Sequence, residues 1–486
     1  MSTTITSLEP RSLWQHFQSL NDIPRPSKKE ERVIQFMIDF GNALGLEVIS
    51  DKIGNVVIKK PATLGMEDRK TVVLQSHLDM VHQKNSNTQF DFQQQGIQMF
   101  IDGDWVKAKG TTLGADNGIG VAATMAILAS NEIPHPAIEA LFTIDEETGM
   151  TGAKDLDPNM LKGQLMLNLD TEDDDELTVG CAGGIDITAQ GRYATIVPAS
   201  QGLPFRITIK GLSGGHSGMD IHLGRGNANK LMNRLLYNLD KEFEIQIADI
   251  DGGGLRNAIP RESFATIVVD AVDKHAFNAL IDHMTSIYQK EYKTTDPDLT
   301  IEVQATSMPD EVVDPIFQGQ LLKAMYALPN GIYRMSPDIE GLVQTSNNIA
   351  RIIVNDGQFL VQCLTRSSVD TEKQDLADAI ASALQLIGAK VTTSGAYPGW
   401  TPDPNSQIVS LMKSLYEDLF KESPHVKACH AGLECGILGK HFPKMEMISF
   451  GPNIRGAHSP DEKAQITSVQ KFWTFLKSTL AHIPKQ

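Results

Sequence analysis

The stretch EALFTIDEETGM, residues 139–150, sets a short apolar run directly before three consecutive carboxylates, Asp145, Glu146 and Glu147. EALFTI (139–144) is too short for an ordinary helix and ends in turn-forming residues, so it reads as a buried strand. Three further runs share this build: TVVLQS (71–76), QLMLNL (164–169) and EMISF (446–450). Other segments have helical spacing. Leu13, Phe17 and Leu20, then Val33, Met37 and Phe40, recur three or four residues apart on either side of the turn NDIPRPS. Buried strands alternating with amphipathic helices predict an α/β fold, a mixed sheet with helices on both faces.

From about residue 187 to residue 400 the texture changes to strands with one-sided patterning and amphipathic helices. This predicts an inserted α+β domain at 187–400 between two parts of a first domain, 1–186 and 401–486. GAYPGWTPDPNSQ (395–407), rich in Pro and Gly, reads as the return crossing. Within the insert, GGGLRNAIPRESFATIVVDAVD (252–273) is echoed by residues 340–370, each followed by a helical pattern, which suggests an internal duplication.

Composition excludes several classes. Hydrophobic residues at 41% and charged residues at 21% are those of a globular chain. No apolar run approaches the roughly 20 residues that span a bilayer, and the N-terminus MSTTITSLEPRSLWQHF lacks a signal-peptide pattern, so the expected location is cytoplasmic. A net charge of -17 over 486 residues argues against nucleic acid or an anionic membrane as partner. Cys181, Cys363, Cys429 and Cys435 are too scattered for a disulfide framework or a CxxC zinc site and are expected to be buried thiols.

Chemistry-bearing residues follow the strand runs. His77 and Asp79 come after TVVLQS, Glu146 and Glu147 after EALFTI, Asp170 after QLMLNL, and His458 in the loop beyond EMISF. Asp116 joins them from the glycine-rich turn TLGADNGIG. Ligands of open α/β sheets gather outside the carboxyl ends of strands, so these residues can converge on one crevice. Singly, each has an ordinary use: His77 as a core histidine, Asp79 as a cap, His458 as a solvated loop residue. Jointly, two imidazoles and several carboxylates suit zinc or another first-row divalent ion, and two ions if one carboxylate bridges. Without metal, so many carboxylates would repel one another into protonation. On extended chain, Glu146 and Glu147 point to opposite sides, so Glu147 is expected on the metal and Glu146 as general base toward water. Asp79 is placed to accept the second N–H of His77.

In order and context, SHLDMV, GADNGIG, FTIDEETGMTGA, LNLDTE and GAHSPDE resemble the motifs of the dinuclear zinc peptidase family that includes carnosinase, peptidase T, acetylornithine deacetylase and glutamate carboxypeptidase. GCAGG, GGHSGMDIH and HAGLECG are similar to its aminoacyl-histidine dipeptidase branch. The resemblance spans the chain. It implies one zinc on His77 and Asp170, a second on Glu147 and His458, Asp116 bridging both, and a cis peptide after Asp116; cobalt or manganese are the implied substitutes. In the insert, called a lid in this family, it implies a transition-state-stabilising His216, a substrate-contacting Asn257, and an Arg366 whose planar fork suits a peptide's terminal carboxylate. Gly432 would allow close approach of backbone to substrate. The implied activity is hydrolysis of unblocked dipeptides, Xaa-His or β-alanyl-histidine among them, by metal-activated water in a homodimer.

Three rivals remain. An N-acyl-amino-acid deacylase or aminoacylase would use the same site. A metal-dependent binding protein would keep the ligands without turnover. An NAD-binding oxidoreductase is suggested by Gly118, Gly120 and Ala123, which match G-x-G-x-x-A with Glu139 beyond, although no strand reading directly precedes them.

Overall fold

A computed structural model describes residues 4–403 and 405–486. Pro404, inside the predicted return crossing, lies outside the described residues. The chain forms two compact units: Met1–Gly180 with Pro402–Ala428 and Leu433–Gln486, and Cys181–Thr401 with Cys429–Gly432.

The first unit is built on an eight-stranded sheet in the order Glu47–Ser50, Val56–Lys60, Ile138–Thr143, Val72–His77, Leu165–Asn168, Glu446–Ser449, Glu176–Cys181, His425–Cys429. The four strands read from the sequence lie side by side at its centre and run parallel to one another. Val56–Lys60 flanks them antiparallel, as does Glu176–Cys181 on the far side. Every residue of Val72–His77 and Ile138–Thr143 is buried, which is why both read as continuous runs rather than alternating ones. The polar residues among them bond to each other: Gln75 donates to Thr143 (3.2 Å), and Asn168 joins Gln75 and Ser449.

Helices cover the sheet. Arg11–Asn21 buries Leu13, Trp14, Phe17 and Leu20, and Glu31–Ala43 buries Val33 and Met37, whereas Phe40 stays half-exposed against the His16 ring. Ala115–Ala129 is buried along almost its whole length. It starts irregularly: Gly114 at φ 69°, non-helical Asp116 and Asn117, and a cis peptide between those two residues. No helix among the described residues is long and apolar enough to cross a membrane.

The second unit holds an antiparallel nine-stranded sheet whose central members are Ser263–Asp270, Gln246–Gly253, Val343–Asn355, Gln358–Ser367 and Gly183–Arg192. Ala228–Phe243, Lys274–Glu291, Pro315–Ala327 and Asp370–Gln385 are its long helices. Leu235, Ile267, Phe277, Ile349, Val361 and Leu376 share its core. The suspected duplication is not shown. Residues 340–370 form a long hairpin, Val343–Asn355 with Gln358–Ser367, whereas 252–273 hold the end of one strand, the two-residue Ala258–Ile259 and Ser263–Asp270. Cys181, Cys363 and Cys435 are buried and Cys429 is half-buried.

Candidate metal centre

Because the four central strands run parallel, their carboxyl ends open on one edge of the sheet. His77 is the last residue of its strand, Asp170 lies two residues past Asn168, Glu146 and Glu147 three and four past Thr143, and His458 nine past Ser449. Asp116 enters from the start of Ala115–Ala129. Asp116 faces both imidazoles. Its Oδ1 is 3.2 Å from Nε2 of His77, which is 3.4 Å from Oδ1 of Asp170; its Oδ2 is 3.3 Å from Nε2 of His458, which is 2.9 Å from Oε2 of Glu147. Donor atoms of His77, Asp116 and Asp170 thus form one group, and those of Asp116, Glu147 and His458 a second; Glu146 falls in a third with His77 and Glu147.

Asp79 is fully buried and touches more than His77. His77 Nδ1 lies 3.1 Å from the carbonyl oxygen of Asp79 and 3.4 Å from its Oδ1. The same carboxylate accepts the backbone N–H of Glu146 (3.0 Å) and Glu147 (3.3 Å) and the Ser27 hydroxyl (2.8 Å). The reading of Glu146 and Glu147 as extended chain is therefore corrected. They sit in a turn that follows Asp145 at φ 55°, pinned through their amides by Asp79.

The four remaining predicted residues belong to the second unit. His216 lies on a two-residue strand paired with Ala258–Ile259; its Nδ1 accepts the N–H groups of Gly218 (3.2 Å) and Met219 (3.0 Å), which leaves Nε2 to carry the proton. The backbone carbonyl of Asn257, an exposed turn residue, accepts the N–H of Ser217 at 2.7 Å. Arg366 is buried in the strand Gln358–Ser367 and donates to the Tyr397 hydroxyl at 2.7 Å. A Cβ on Gly432 would stand 2.9 Å from the Tyr397 ring, so the glycine makes room for that ring. His430, which the sequence reading missed, pairs Nε2 with the Ser346 hydroxyl at 2.7 Å, and burial followed by Arg366 pushes its pKa down to about 3.

The family model described as peptidase family M20/M25/M40 matches residues 73–482. The chain belongs to this family. It is 42% identical over 480 residues to the cytosol non-specific dipeptidase of Escherichia coli, covering 99% of each chain. Its fold superposes on the aminoacylhistidine dipeptidase of Vibrio alginolyticus with a TM-score of 0.95 at 44% identity, covering 100% of this chain and 99% of that one. Aminopeptidase PepT of Bacillus cereus shares the fold alone, at 16% identity and a TM-score of 0.58 over 98% and 99% of the two chains.

The M20 family is metal-dependent, and the donor set here fits divalent cations. Three of the four donor separations, 3.2–3.4 Å, match the edges, about 3.3 Å, of a tetrahedron with bonds of ~2.0–2.1 Å, and the fourth, His458 to Glu147 at 2.9 Å, is shorter. The electrostatics agree. Burial, then Asp170, Glu434 and Glu147, push Glu146 well above the usual carboxylate range against the pull of His77, and burial pushes Asp170 up to about 6. Burial acts on Asp116 in the same sense, but its bonds to His458 and His77 outweigh it and hold its carboxyl well below that range. Bonds to Asp116 and Glu147 push His458 up to about 11. The carboxylates draw protons to themselves and their imidazole partners, protons that a bound divalent ion displaces.

Three buried groups of this M20 centre went unassigned from the sequence: Arg25, Glu434 and Glu462. Glu462 lies inside the quoted motif GAHSPDE, and Arg25 inside the turn NDIPRPS, so position alone was their signal. The dinucleotide reading of Gly118, Gly120 and Ala123 fails. All three lie within the helix Ala115–Ala129, where a Cβ at Gly118 would meet Arg25 Nη2 at 2.6 Å and one at Gly120 the Leu169 carbonyl at 2.7 Å. These glycines let the helix pack closely. Glu139, the acidic residue beyond that pattern, is buried in its strand and accepts the N–H groups of Lys162 and Gly163.

Proposed function

We propose that this M20 member is a cytoplasmic, homodimeric dipeptidase that hydrolyses unblocked dipeptides, Xaa-His and β-alanyl-histidine among them. The names of its E. coli and V. alginolyticus relatives support the substrate class. The observation that carries the mechanism is the Asp116 carboxylate, one oxygen facing His77 and the other His458. We assign two zinc ions, replaceable by cobalt or manganese, one to His77 and Asp170 and one to Glu147 and His458, with Asp116 shared. Bound there, such ions supply Lewis acidity to a scissile carbonyl and lower the pKa of water.

The rest of the chemistry falls to side chains. Glu146 takes a proton from the attacking water on its carboxylate and returns it to the leaving amine nitrogen. Asp79 orients His77 and, through two backbone amides, fixes the turn that carries Glu146 and Glu147. In the proposed lid, 187–400, the Nε2–H of His216 donates to the developing oxyanion, Arg366 grips the terminal carboxylate, and Asn257 contacts the substrate; Gly432, beyond the proposed lid, lets backbone approach it. Residues 1–186 and 401–486 form the proposed catalytic domain.

Metal analysis combined with a panel of free dipeptides, tripeptides and N-acyl amino acids tests this reading. Two ions per chain, turnover of free dipeptides, and loss of turnover on chelation with recovery on zinc are expected. Cleavage of N-acyl amino acids alone would make the chain a deacylase, and two bound ions with no turnover of any substrate would make it a binding protein.

A further inference from the structure

Glu462, four residues beyond His458, is 2% exposed. Its carboxylate faces four consecutive backbone amides. Oε2 accepts from Leu113 (2.7 Å) and Gly114 (2.9 Å), and Oε1 from Ala115 (2.7 Å) and Asp116 (3.2 Å). Its charge acts on the buried Arg25 guanidinium: burial lowers the pKa of Arg25 to about 10, against the opposing pull of Glu462. Arg25, 1% exposed, works from the other side of the same loop. Its Nη2 donates to the Gly114 carbonyl (2.6 Å) and Asn21 Oδ1 (3.1 Å), and its Nη1 to the carbonyls of Leu78 (3.0 Å) and Asp79 (3.1 Å), immediately after His77.

Gly114 is thus held by its N–H on Glu462 and by its carbonyl on Arg25. At φ 69° it is left-handed, and a Cβ there would meet Arg25 Nη2 at 2.6 Å, so the position requires glycine. The loop from His458 to Glu462 is itself closed, since Ser459 N–H donates to Gly456 O (3.2 Å) and Glu462 N–H to Ser459 O (3.1 Å).

We infer that Glu462 is a positioning residue that holds the Asp116 carboxylate between the two ion positions and ties it to the His458 loop, with Arg25 extending the tie to His77. The inference rests on the two-ion reading above. It requires a carboxylate. Four N–H donors need two acceptor oxygens, and an amide would turn an NH₂ group against two of them.

The test compares wild type with Glu462→Gln and Glu462→Asp. Apo-protein melting, zinc affinity by chelator competition, and the Co(II) absorption spectrum are measured for each. In Glu462→Gln the second zinc should bind roughly 10–100-fold more weakly, the scale on which ligand-orienting groups act, and the Co(II) spectrum should change, with apo melting lowered by the NH₂ group turned against two buried N–H donors. Glu462→Asp, which keeps both oxygens, should recover part of the affinity. Unchanged affinity for both ions in Glu462→Gln, whether or not apo melting falls, would leave Glu462 a scaffold group and overturn the inference. If Glu462→Gln does not fold, Arg25→Lys, which loosens Gly114 from the opposite side, must weaken the second zinc to the same degree; wild-type affinity there overturns it equally. A wild type that binds a single ion would instead remove the two-ion reading itself.

Discussion

The metal centre and the His216–Arg366 group carry different parts of the proposed reaction and are built in different ways. In the first unit, His77, Glu147, Asp170 and His458 all lie at or beyond the carboxyl ends of parallel strands, so the topology of the sheet gathers them. In the second, Arg366 lies within a ten-residue antiparallel strand, His216 and Asn257 at a two-residue ladder, and Gly432 in the segment Cys429–Gly432. A parallel sheet concentrates chemistry at one edge. An antiparallel sheet spreads it along strands and turns, where no position marks it as functional.

Variants in the two regions should therefore fail differently. The largest effect is expected for Asp116→Ala, which removes the one carboxylate shared by both donor groups: both ions should be lost by elemental analysis, with turnover at the detection limit. Two tightly retained ions would break the picture of a shared ligand. Glu146→Gln should keep both ions and lower kcat by about 10²–10⁴-fold, the usual scale for a general base; near-normal kcat would remove that role. Smallest is Arg366→Lys, in which an ammonium keeps the charge but loses the planar fork. KM for a free dipeptide should rise about tenfold, the loss of roughly one charge-assisted hydrogen bond, with ions unchanged. A dipeptide amide, which lacks the carboxylate, should not distinguish this variant from wild type, and an equal KM change for both substrates would sharpen the comparison against Arg366.

Much of the first unit was legible because fully buried strands announce themselves. TVVLQS, EALFTI, QLMLNL and EMISF became Val72–His77, Ile138–Thr143, Leu165–Asn168 and Glu446–Ser449. The convergence of His77, Glu147, Asp170 and His458 followed from those strand ends, and Asp116 joined them from the glycine-rich turn that opens Ala115–Ala129. What local pattern could not show was backbone shape after a strand. Glu146 and Glu147 turn because Asp79, distant in sequence, binds their amides. Nor could it show a carboxylate whose partners are main-chain amides, since every residue but proline has one; Glu462 looks like any charged loop residue until residues 113–116 stand beside it. Arg25 was hidden for the reason that makes it useful, being a guanidinium in a turn whose acceptors are carbonyls of other loops.

Glu462 bonds to amides 346–349 residues earlier in the chain. At roughly 5–20 residues per second, a ribosome takes about 20–70 s to add that span. His77, Asp116, Glu147 and Asp170 are all synthesised before either His458 or the group that steadies the Asp116 loop exists. The centre therefore waits on the last of its groups to be made, and a chain stopped before His458 would carry most of the carboxylates with nothing to bring them into order.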